Sequence, residues 1–314
     1  KQLIVDSFAK TPFKLCCTAT PAPNDFEEIG NHAEFLGVMR RVEMLSTFFY
    51  HDGGDTAKWT LKPHAEDVFF KWVSSWGVAI RKPSDLGYSD AGYDIPPLEL
   101  HTHILDAEKA TPGFLIEMPA LSLSDQRDVK KRTVLERAKE VSDLMNATGE
   151  SAVVWGETND ECNRVTDMID GAVQVSGSDS LELKESRLMG FADGTHRVIV
   201  TKPSICGFGL NWQHSNTCAF ISLSHSFEQQ DQAIHRQHRF GQKRKVNAHF
   251  FLSKAEMPIL YNIERKRDQA ELMSQSLVDH MRESMMKNIG GLTRESTPYI
   301  PTKPMNIPAF LKGR

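Results

Sequence analysis

The sequence predicts an α/β fold, a parallel sheet covered by helices on both faces, and three observations carry that prediction. Short apolar, β-branched runs alternate through the middle and late chain with helical patterns of roughly ten to fifteen residues. Two helix-start signatures, Thr158 with Glu161 and Ser226 with Gln229, stand directly after such runs. Gly171 and Gly241 stand where two of the helical patterns stop. Strands joined through helices run parallel, because a crossover long enough to hold a helix returns the chain to the same end of the sheet. A sheet covered on both faces needs strands that are apolar throughout, as these are.

Taken in order, residues 15–25 read as an apolar strand that runs into Thr18, Ala19, Thr20 and Pro21, with a helix starting at Asn24 or Asp25. Residues 26–82 carry Phe48, Phe49, Phe69, Phe70, Trp72 and Trp76 at helical spacing, broken by Asp52, Gly53, Gly54 and Asp55, and read as a helical subdomain. Residues 83–97, rich in Pro, Gly, Tyr and Asp, read as a linker. His101 and His103 alternate on a strand, a pair with no third metal ligand at matching spacing. A helix over 123–145 places Val134, Ala138, Val141 and Met145 on one face. Strands follow at 152–155, 172–175, 197–201, 218–223 and 246–252, with helices over 158–169, 180–191 and 226–240 between them. A polar helix over 255–287 leads into a Gly, Thr and Pro tail. The expected divisions are 1–40, 41–95, 96–289 and a mobile tail at 290–314.

Composition narrows the function. The 314 residues are 40% hydrophobic and 25% charged, enough for two packed domains. Lys plus Arg is 37 against 41 Asp plus Glu, a net charge of −4, which excludes a uniformly basic nucleic-acid coat and a polybasic membrane anchor. Any anion site is therefore local. No apolar run approaches the roughly 20 residues of a membrane span, and no signal core follows a charged start, so an intracellular protein is expected. Five cysteines without C-x-x-C spacing read as buried free thiols rather than a disulfide framework or a zinc site.

The segment from Gln232 to Gln242, QAIHRQHRFGQ, carries the most chemistry. On a helix, Gln232, Arg236 and Arg239 are i, i+4 and i+7 and share one face. The window 232–254 holds Arg236, Arg239, Lys243, Arg244, Lys245 and Lys254 without an acidic residue, an unopposed positive patch. Guanidinium forks present several donors to phosphate oxygens, a geometry lysine does not copy. Upstream, KPSICGFGLN (202–211) follows a strand directly; Gly207 and Gly209 suit close backbone approach to a phosphate.

The segment 232–242 resembles motif VI of superfamily 2 helicases, nearest the Swi/Snf-type DNA-dependent ATPases and their phage relatives. Residues 15–25 resemble motif III, 202–211 motif V, and 152–156 motif IV. The resemblance covers about residues 8–255. It implies a RecA-like second lobe over 96–289, preceded by a helical segment and by a remnant of the first RecA-like lobe in which 13–18 is a late strand. It implies that Arg236 and Arg239 are arginine fingers reaching the γ-phosphate of ATP held by the other lobe, worth about 10³ to 10⁵ in rate, roughly 4–7 kcal/mol. Gln232 would order that site, Thr18 and Thr20 would couple nucleotide state to the track, and Lys202, Gly207, Gly209 and Asn211 would meet nucleic acid. Cys206 and Pro203 depart from the motif V pattern, and His235 from motif VI. Arg81 and Lys82 resemble the basic exit from the first lobe.

No phosphate-loop motif and no Asp-Glu magnesium motif precedes Thr18. The expectation is a carboxyl-terminal portion of a longer ATP-dependent helicase or translocase, inactive alone, with the Mg²⁺ ligands upstream. Nucleic acid, DNA favoured, and ATP are the expected partners, without a membrane, in the cytoplasm of a bacterial or phage-infected cell. The competing reading is a non-catalytic nucleic-acid-binding lobe. A small-molecule-binding α/β domain would have to explain the two arginines.

Overall fold

The computed structural model describes residues 2–22, 25–52, 55–105, 123–207 and 209–290. The first part of the chain holds helices α1 (Gln2–Ser7), α2 (Ile29–Leu36) and α3 (Arg41–Phe48), a hairpin of β1 (Phe49–Asp52) and β2 (Asp55–Leu61), and α4 (Glu66–Ser74). The second part runs β3 (Leu98–Leu105), α5 (Leu123–Thr148), β4 (Ala152–Trp155), α6 (Asn159–Met168), β5 (Ala172–Gln174), α7 (Leu181–Ala192), β6 (Val198–Thr201), α8 (Pro203–Cys206), β7 (Thr217–Phe220), α9 (Phe227–Ile234), β8 (Val246–Ser253) and α10 (Met257–Gly290).

The expected RecA-like parallel sheet is present. Six strands lie in the order β3-β8-β7-β4-β6-β5, and every neighbouring pair is parallel. The alternation of side chains along each strand divides the core in two. Val153, Trp155, Ile199, Cys218 and Phe220 face one way, onto Phe191 of α7, Phe227 and Ile234 of α9 and Ile259 and Ile263 of α10. Ala152, Val154, Val198, Val200 and Ala219 face the other way, onto Ala138, Val141 and Met145 of α5 and Val165 of α6. Strands β4, β6 and β7 are buried at every residue, which is why they read as unbroken apolar runs.

The capping signals work as expected at the helix starts. Thr158 accepts from the Glu161 N–H at 3.3 Å while the Glu161 carboxylate accepts from the Thr158 N–H at 2.9 Å. Ser226 accepts from the Gln229 N–H at 3.3 Å. Gly171 and Gly241 have φ of 69° and 93°, backbone that suits only glycine among these turns.

At the carboxyl ends of β4, β7 and β8 a buried charge cluster clamps the strands to α5. Arg137, 0% exposed, donates from Nη1 to Glu256 Oε1 at 3.2 Å and from Nη2 to Glu161 Oε1 at 3.4 Å. Its Nη2 also reaches the Lys130 carbonyl at 2.6 Å, and Ser222 donates to Glu161 Oε2 at 3.1 Å. The expected helical face of α5 predicted its apolar contacts, but not this cation among them.

Several expectations change. The segment around residue 52 is not a break between helices: Phe49 pairs with Leu61, Tyr50 with Thr60 and His51 with Trp59 in an antiparallel hairpin. A Gly-Gly dipeptide flanked by alternating side chains favours a hairpin over a helix, although Gly53 and Gly54 themselves lie outside the described residues. Residues 13–18 form no strand, and Phe13 and Leu15 are 80% and 81% exposed. A strand needs a ladder partner for its backbone groups, and among the described residues none lies beside it. Trp59, Trp72 and Trp76 pack against a core of Phe48, Phe49, Phe69, Phe70 and Val73. Burial holds for Cys162, Cys206 and Cys218, whereas Cys17 is exposed and Cys16 partly so.

Helix α10 crosses the division expected near residue 95. Its first turns, at Ile259, Leu260 and Ile263, lie in the sheet core, while Met273 and Leu277 lie in the core of the helical part. His280 stacks on Phe70 with centroids 5.4 Å apart. The tail beyond residue 290 lies outside the described residues.

Candidate functional site

The site begins where α9 stops. The expected helix over 226–240 ends at Ile234, so Arg236 and Arg239 do not stand on a common helical face with Gln232. From there the chain makes tight turns: the Arg236 N–H bonds the Ala233 carbonyl at 3.2 Å, the Gln237 N–H the Ile234 carbonyl at 3.0 Å, and the Gln242 N–H the Arg239 carbonyl at 3.0 Å. The departure from the helix has a cause. Gln237, 0% exposed, turns inward and donates from Nε2 to Ser215 Oγ at 2.6 Å and to the Thr217 carbonyl at 2.9 Å. Gln242 donates to the Ser215 carbonyl at 2.9 Å, and the Trp212 N–H takes the Arg236 carbonyl at 2.8 Å. Satisfying these buried polar groups outweighs one more helical turn.

The turns nevertheless bring the two guanidiniums together. Arg236 Nη1 and Arg239 Nη1 donate to the same acceptor, the Leu210 carbonyl, at 3.1 and 3.4 Å. Arg236 Nε also donates to the Gln232 carbonyl at 2.9 Å. Gln232 therefore orders Arg236 through its backbone, while its side chain donates to Glu228 at 3.0 Å. Burial, and then the neighbouring Arg239 charge, push the Arg236 guanidinium below its ordinary pKa, although arginine stays charged at any physiological pH. Among the described residues neither arginine has a carboxylate within ion-pair distance. Two like charges on one carbonyl leave most of their donors directed elsewhere.

The wider positive patch is less open than the sequence suggests. Arg244 pairs with Glu150 at 3.4 Å and Lys245 with Glu99 at 2.9 Å, acids supplied from distant parts of the chain. Among the described residues Arg236, Arg239 and the exposed Lys243 have no acid within ion-pair distance. The exit stretch is also tied up: Arg81 lies 3.6 Å from both Asp85 and Glu271, and Lys82 lies 3.3 Å from Asp90.

The expected site residues fall into three places. Arg236 and Arg239 lie with Leu210 beside Ser215 and Thr217, at the amino-terminal edge of β7 and just before β8. Lys202 follows β6 at the opposite, carboxyl-terminal edge, where its charge acts on Glu157 and Cys162. Burial holds the Glu157 carboxyl above its usual range, opposed by Lys130 and Lys202 and reinforced by Glu161. Between these edges the chain passes Gly207, whose N–H is taken by the Pro203 carbonyl at 2.8 Å, and Gly209, held at φ 75°. A Cβ on Gly207 would stand 2.3 Å from that carbonyl oxygen, so glycine is required by the α8 turn itself. Asn211 is exposed. Thr18 and Thr20 form the third place, with the Thr20 N–H on Thr18 Oγ1 at 3.1 Å; no described contact joins them to the arginines.

Other candidates settle into packing. His238 Nε2 meets the Pro96 carbonyl at 2.9 Å. His101 and His103 join His249 in a stacked row, His103 Nε2 lying 3.0 Å from His249 Nδ1. Among the described residues no group of three or more His, Cys, Asp or Glu is arranged to hold a metal ion. No described helix is long and apolar enough to cross a membrane. Leu210, Trp212, Gln237 and Gln242 build the site and were not singled out from the sequence. The signal available for the glutamines was their place inside an otherwise functional-looking motif.

No family model matches the chain, and no curated protein matches it. Solved structures do share part of its chain path. The carboxyl-terminal part of the Fun30 ATPase domain matches at 16% identity and TM-score 0.35, over 49% of this chain and 54% of that one. The RNA helicase Prp28 from Chaetomium thermophilum bound to ADP matches at 14% and 0.41, over 56% and 37%. A DEAD box protein from the hyperthermophile Methanococcus jannaschii matches at 20% and 0.37, over 41% and 36%. The chain thus spans about half or less of each.

Proposed function

We propose that this chain supplies the arginine-bearing lobe of an ATP-dependent helicase or translocase of the superfamily 2 type, acting on nucleic acid and on DNA in particular. One observation carries the reading: two arginines without acidic partners among the described residues converge on the Leu210 carbonyl, held from behind by buried Gln237 and Gln242. A protein that spends buried hydrogen bonds on holding two like charges together has an anion to receive there. Their position supports a ligand held by another body. Ligands of open parallel sheets lie at the carboxyl ends of the strands, whereas these arginines stand at the amino-terminal edge.

The chemistry that follows is electrostatic. Arg236, braced through Nε and Nη1, keeps its fork in place; Arg239, held by a single longer bond, is free to swing onto an equatorial oxygen of the transferring phosphoryl group. Charge that spreads onto those oxygens in the transition state meets donors already in position. Mg²⁺ bound with ATP would supply further neutralisation of phosphate charge, and none of the residues named here is proposed to hold it. Closing and opening of the cleft between lobes would step the protein along the phosphate backbone, with Lys202, Gly207, Gly209 and Asn211 as the proposed contacts and Thr18 and Thr20 as the proposed coupling residues.

The test is ATP hydrolysis by this chain and by the same chain continued upstream in its gene, each with and without duplex and single-stranded DNA. DNA-stimulated turnover in the extended protein alone is the expected result. Absence of turnover in both, with DNA binding retained, sinks the motor reading and leaves a non-catalytic nucleic-acid-binding lobe.

A further inference from the structure

Strand β3 lies at one edge of the sheet: it pairs with β8 along its whole length and, among the described residues, with no strand on its other side. Leu98 and Leu105, at its two ends, pack against the two cores, while Leu100 and Ile104 between them are 38% and 50% exposed. On the side of the sheet that α5 covers, His101 stands in register with His249 and His103 with Phe251. The His101 and His249 rings stack with centroids 4.6 Å apart, His249 and His103 lie at 5.3 Å, and His103 and Phe251 at 4.4 Å. All three histidines are half-buried. His101 Nε2 lies 3.1 Å from Asn247 Oδ1 and 3.8 Å from Glu99 Oε2, and Glu99 in turn pairs with Lys245 at 2.9 Å. His103 Nε2 lies 3.0 Å from His249 Nδ1, and from α5 the charge of Glu140 reaches His103.

A hydrogen bond between two imidazole nitrogens needs a proton on one and a lone pair on the other. With both rings charged, two N–H groups would face each other and the bond would be lost. The row therefore holds only while His103 or His249 is neutral. Burial, reinforced by the charges of His101 and His103, pushes His249 down to about 4; burial and then His101 lower His103, against the pull of Glu140. When β3 leaves β8 the rings part, regain water and return toward the ordinary value near 6.5. Proton uptake between those two values thus favours the open strand: docking of β3 is strongest above the upper value and weakens as pH falls to the lower. Strands β4, β6 and β7 are buried at every residue, so β3 is the strand that opens first. Its entry is tied to the arginine turn, because His238 Nε2 holds the Pro96 carbonyl at 2.9 Å and the Val246 N–H holds the Pro97 carbonyl at 3.0 Å. We propose that the row of His101, His249 and His103 is a proton-sensitive latch: neutral, it docks β3 on β8; protonated, it releases β3 and the Pro96–Pro97 anchor of the Arg236–Arg239 turn while the rest of the sheet stays folded. Its bearing on the arginines rests on the phosphate reading of that turn; the release of β3 does not.

The test is amide hydrogen exchange of the chain between about pH 7 and pH 5, each rate taken relative to that of an unstructured peptide at the same pH. One histidine moving from about 4 when docked to about 6.5 when released lowers the protection of the β3 amides roughly 20-fold over that interval. The Val246 amide is expected to follow β3, and the β4 and β7 amides to keep their protection. In His103→Gln/His249→Gln the two amides still hydrogen-bond but do not titrate, and most of the pH dependence should vanish; His249→Gln alone is read the same way where the double variant does not fold. Glu99→Gln should keep the dependence. Protection of β3 that stays level across the interval, or that falls together with that of β4 and β7, overturns the latch. So does a dependence that survives in the folded glutamine variants, or one that vanishes in Glu99→Gln and so belongs to a carboxylate. Release of β3 with the Val246 amide still protected overturns the link to the arginine turn.

Discussion

Arg137→Met isolates the charge cluster at the carboxyl ends of the strands. Arg137 is 0% exposed and lies between Glu161 at 2% and Glu256 at 0%. Methionine fills much of the aliphatic volume, so the change is chiefly in charge. Each carboxylate keeps its other donors: the Glu157 and Thr158 N–H groups and Ser222 Oγ on Glu161 Oε2, and Ser253 N–H and Oγ on Glu256 Oε2. Both lose the cation that offsets their desolvation. Breaking a buried pair this way costs about 3–5 kcal/mol, against a total stability on the order of 5–15 kcal/mol. Urea unfolding followed by circular dichroism should therefore show a midpoint lower by roughly 1–2 M. Adding Glu161→Gln and Glu256→Gln keeps the acceptors and removes the stranded charges, and should recover most of the loss. A loss below about 1 kcal/mol in Arg137→Met would refute the argument that this cluster is charge-compensated in a low-dielectric interior. A triple variant no better than the single one would shift the cause from charge to packing.

Four further outcomes are expected. Arg236→Ala should reduce stability by about 1–3 kcal/mol, because it strips donors from the Gln232 and Leu210 carbonyls, whereas Arg239→Ala should leave stability nearly unchanged; thermal melts of the two variants compare them. Gly156→Ala should destabilise the chain, since a Cβ would stand 2.6 Å from Cys162 Sγ, and Cys162→Ala in the same chain should relieve it. Burial, with the His101 and His103 charges, pushes His249 down to about 4, so the unfolded chain binds more protons between that value and about 6.5. Stability from this group is full above the upper value and falls as pH drops toward the lower one; the melting temperature of His249→Phe should vary less than that of the native chain across this window. Thiol alkylation at neutral pH should modify Cys17 in the folded protein and spare Cys162 and Cys218, whose thiols burial raises to about 12, until the chain unfolds.

The sheet was legible because its signals are local. Val153 and Val154, Ile199 and Val200 stand in runs too short and too apolar for anything but buried strands, and Thr158 with Glu161 marks a helix start within four residues. What escaped depends on partners far along the chain. Nothing near Gln237 announces that Ser215 and Thr217 will draw it inward and end α9 early. Glu161 reads as a cap, and only the fold shows that it also neutralises Arg137. The patch over 232–254 reads as unopposed because Glu150 and Glu99 lie far upstream. Residues 13–18 have the composition of a strand, but pairing is a property of neighbours, and no described strand pairs with them. The pair of arginines was found from spacing, although by a helical geometry that the chain does not use.

The central claim is that Arg236 and Arg239 act on a nucleotide's phosphates, and its most direct measurement is steady-state ATP turnover with DNA in the gene product extended upstream, native and Arg239→Ala. A fall of about 10³- to 10⁵-fold in turnover, with nucleotide affinity changed far less, is the predicted result. Turnover that persists at the native rate in a folded Arg239→Ala protein would contradict it.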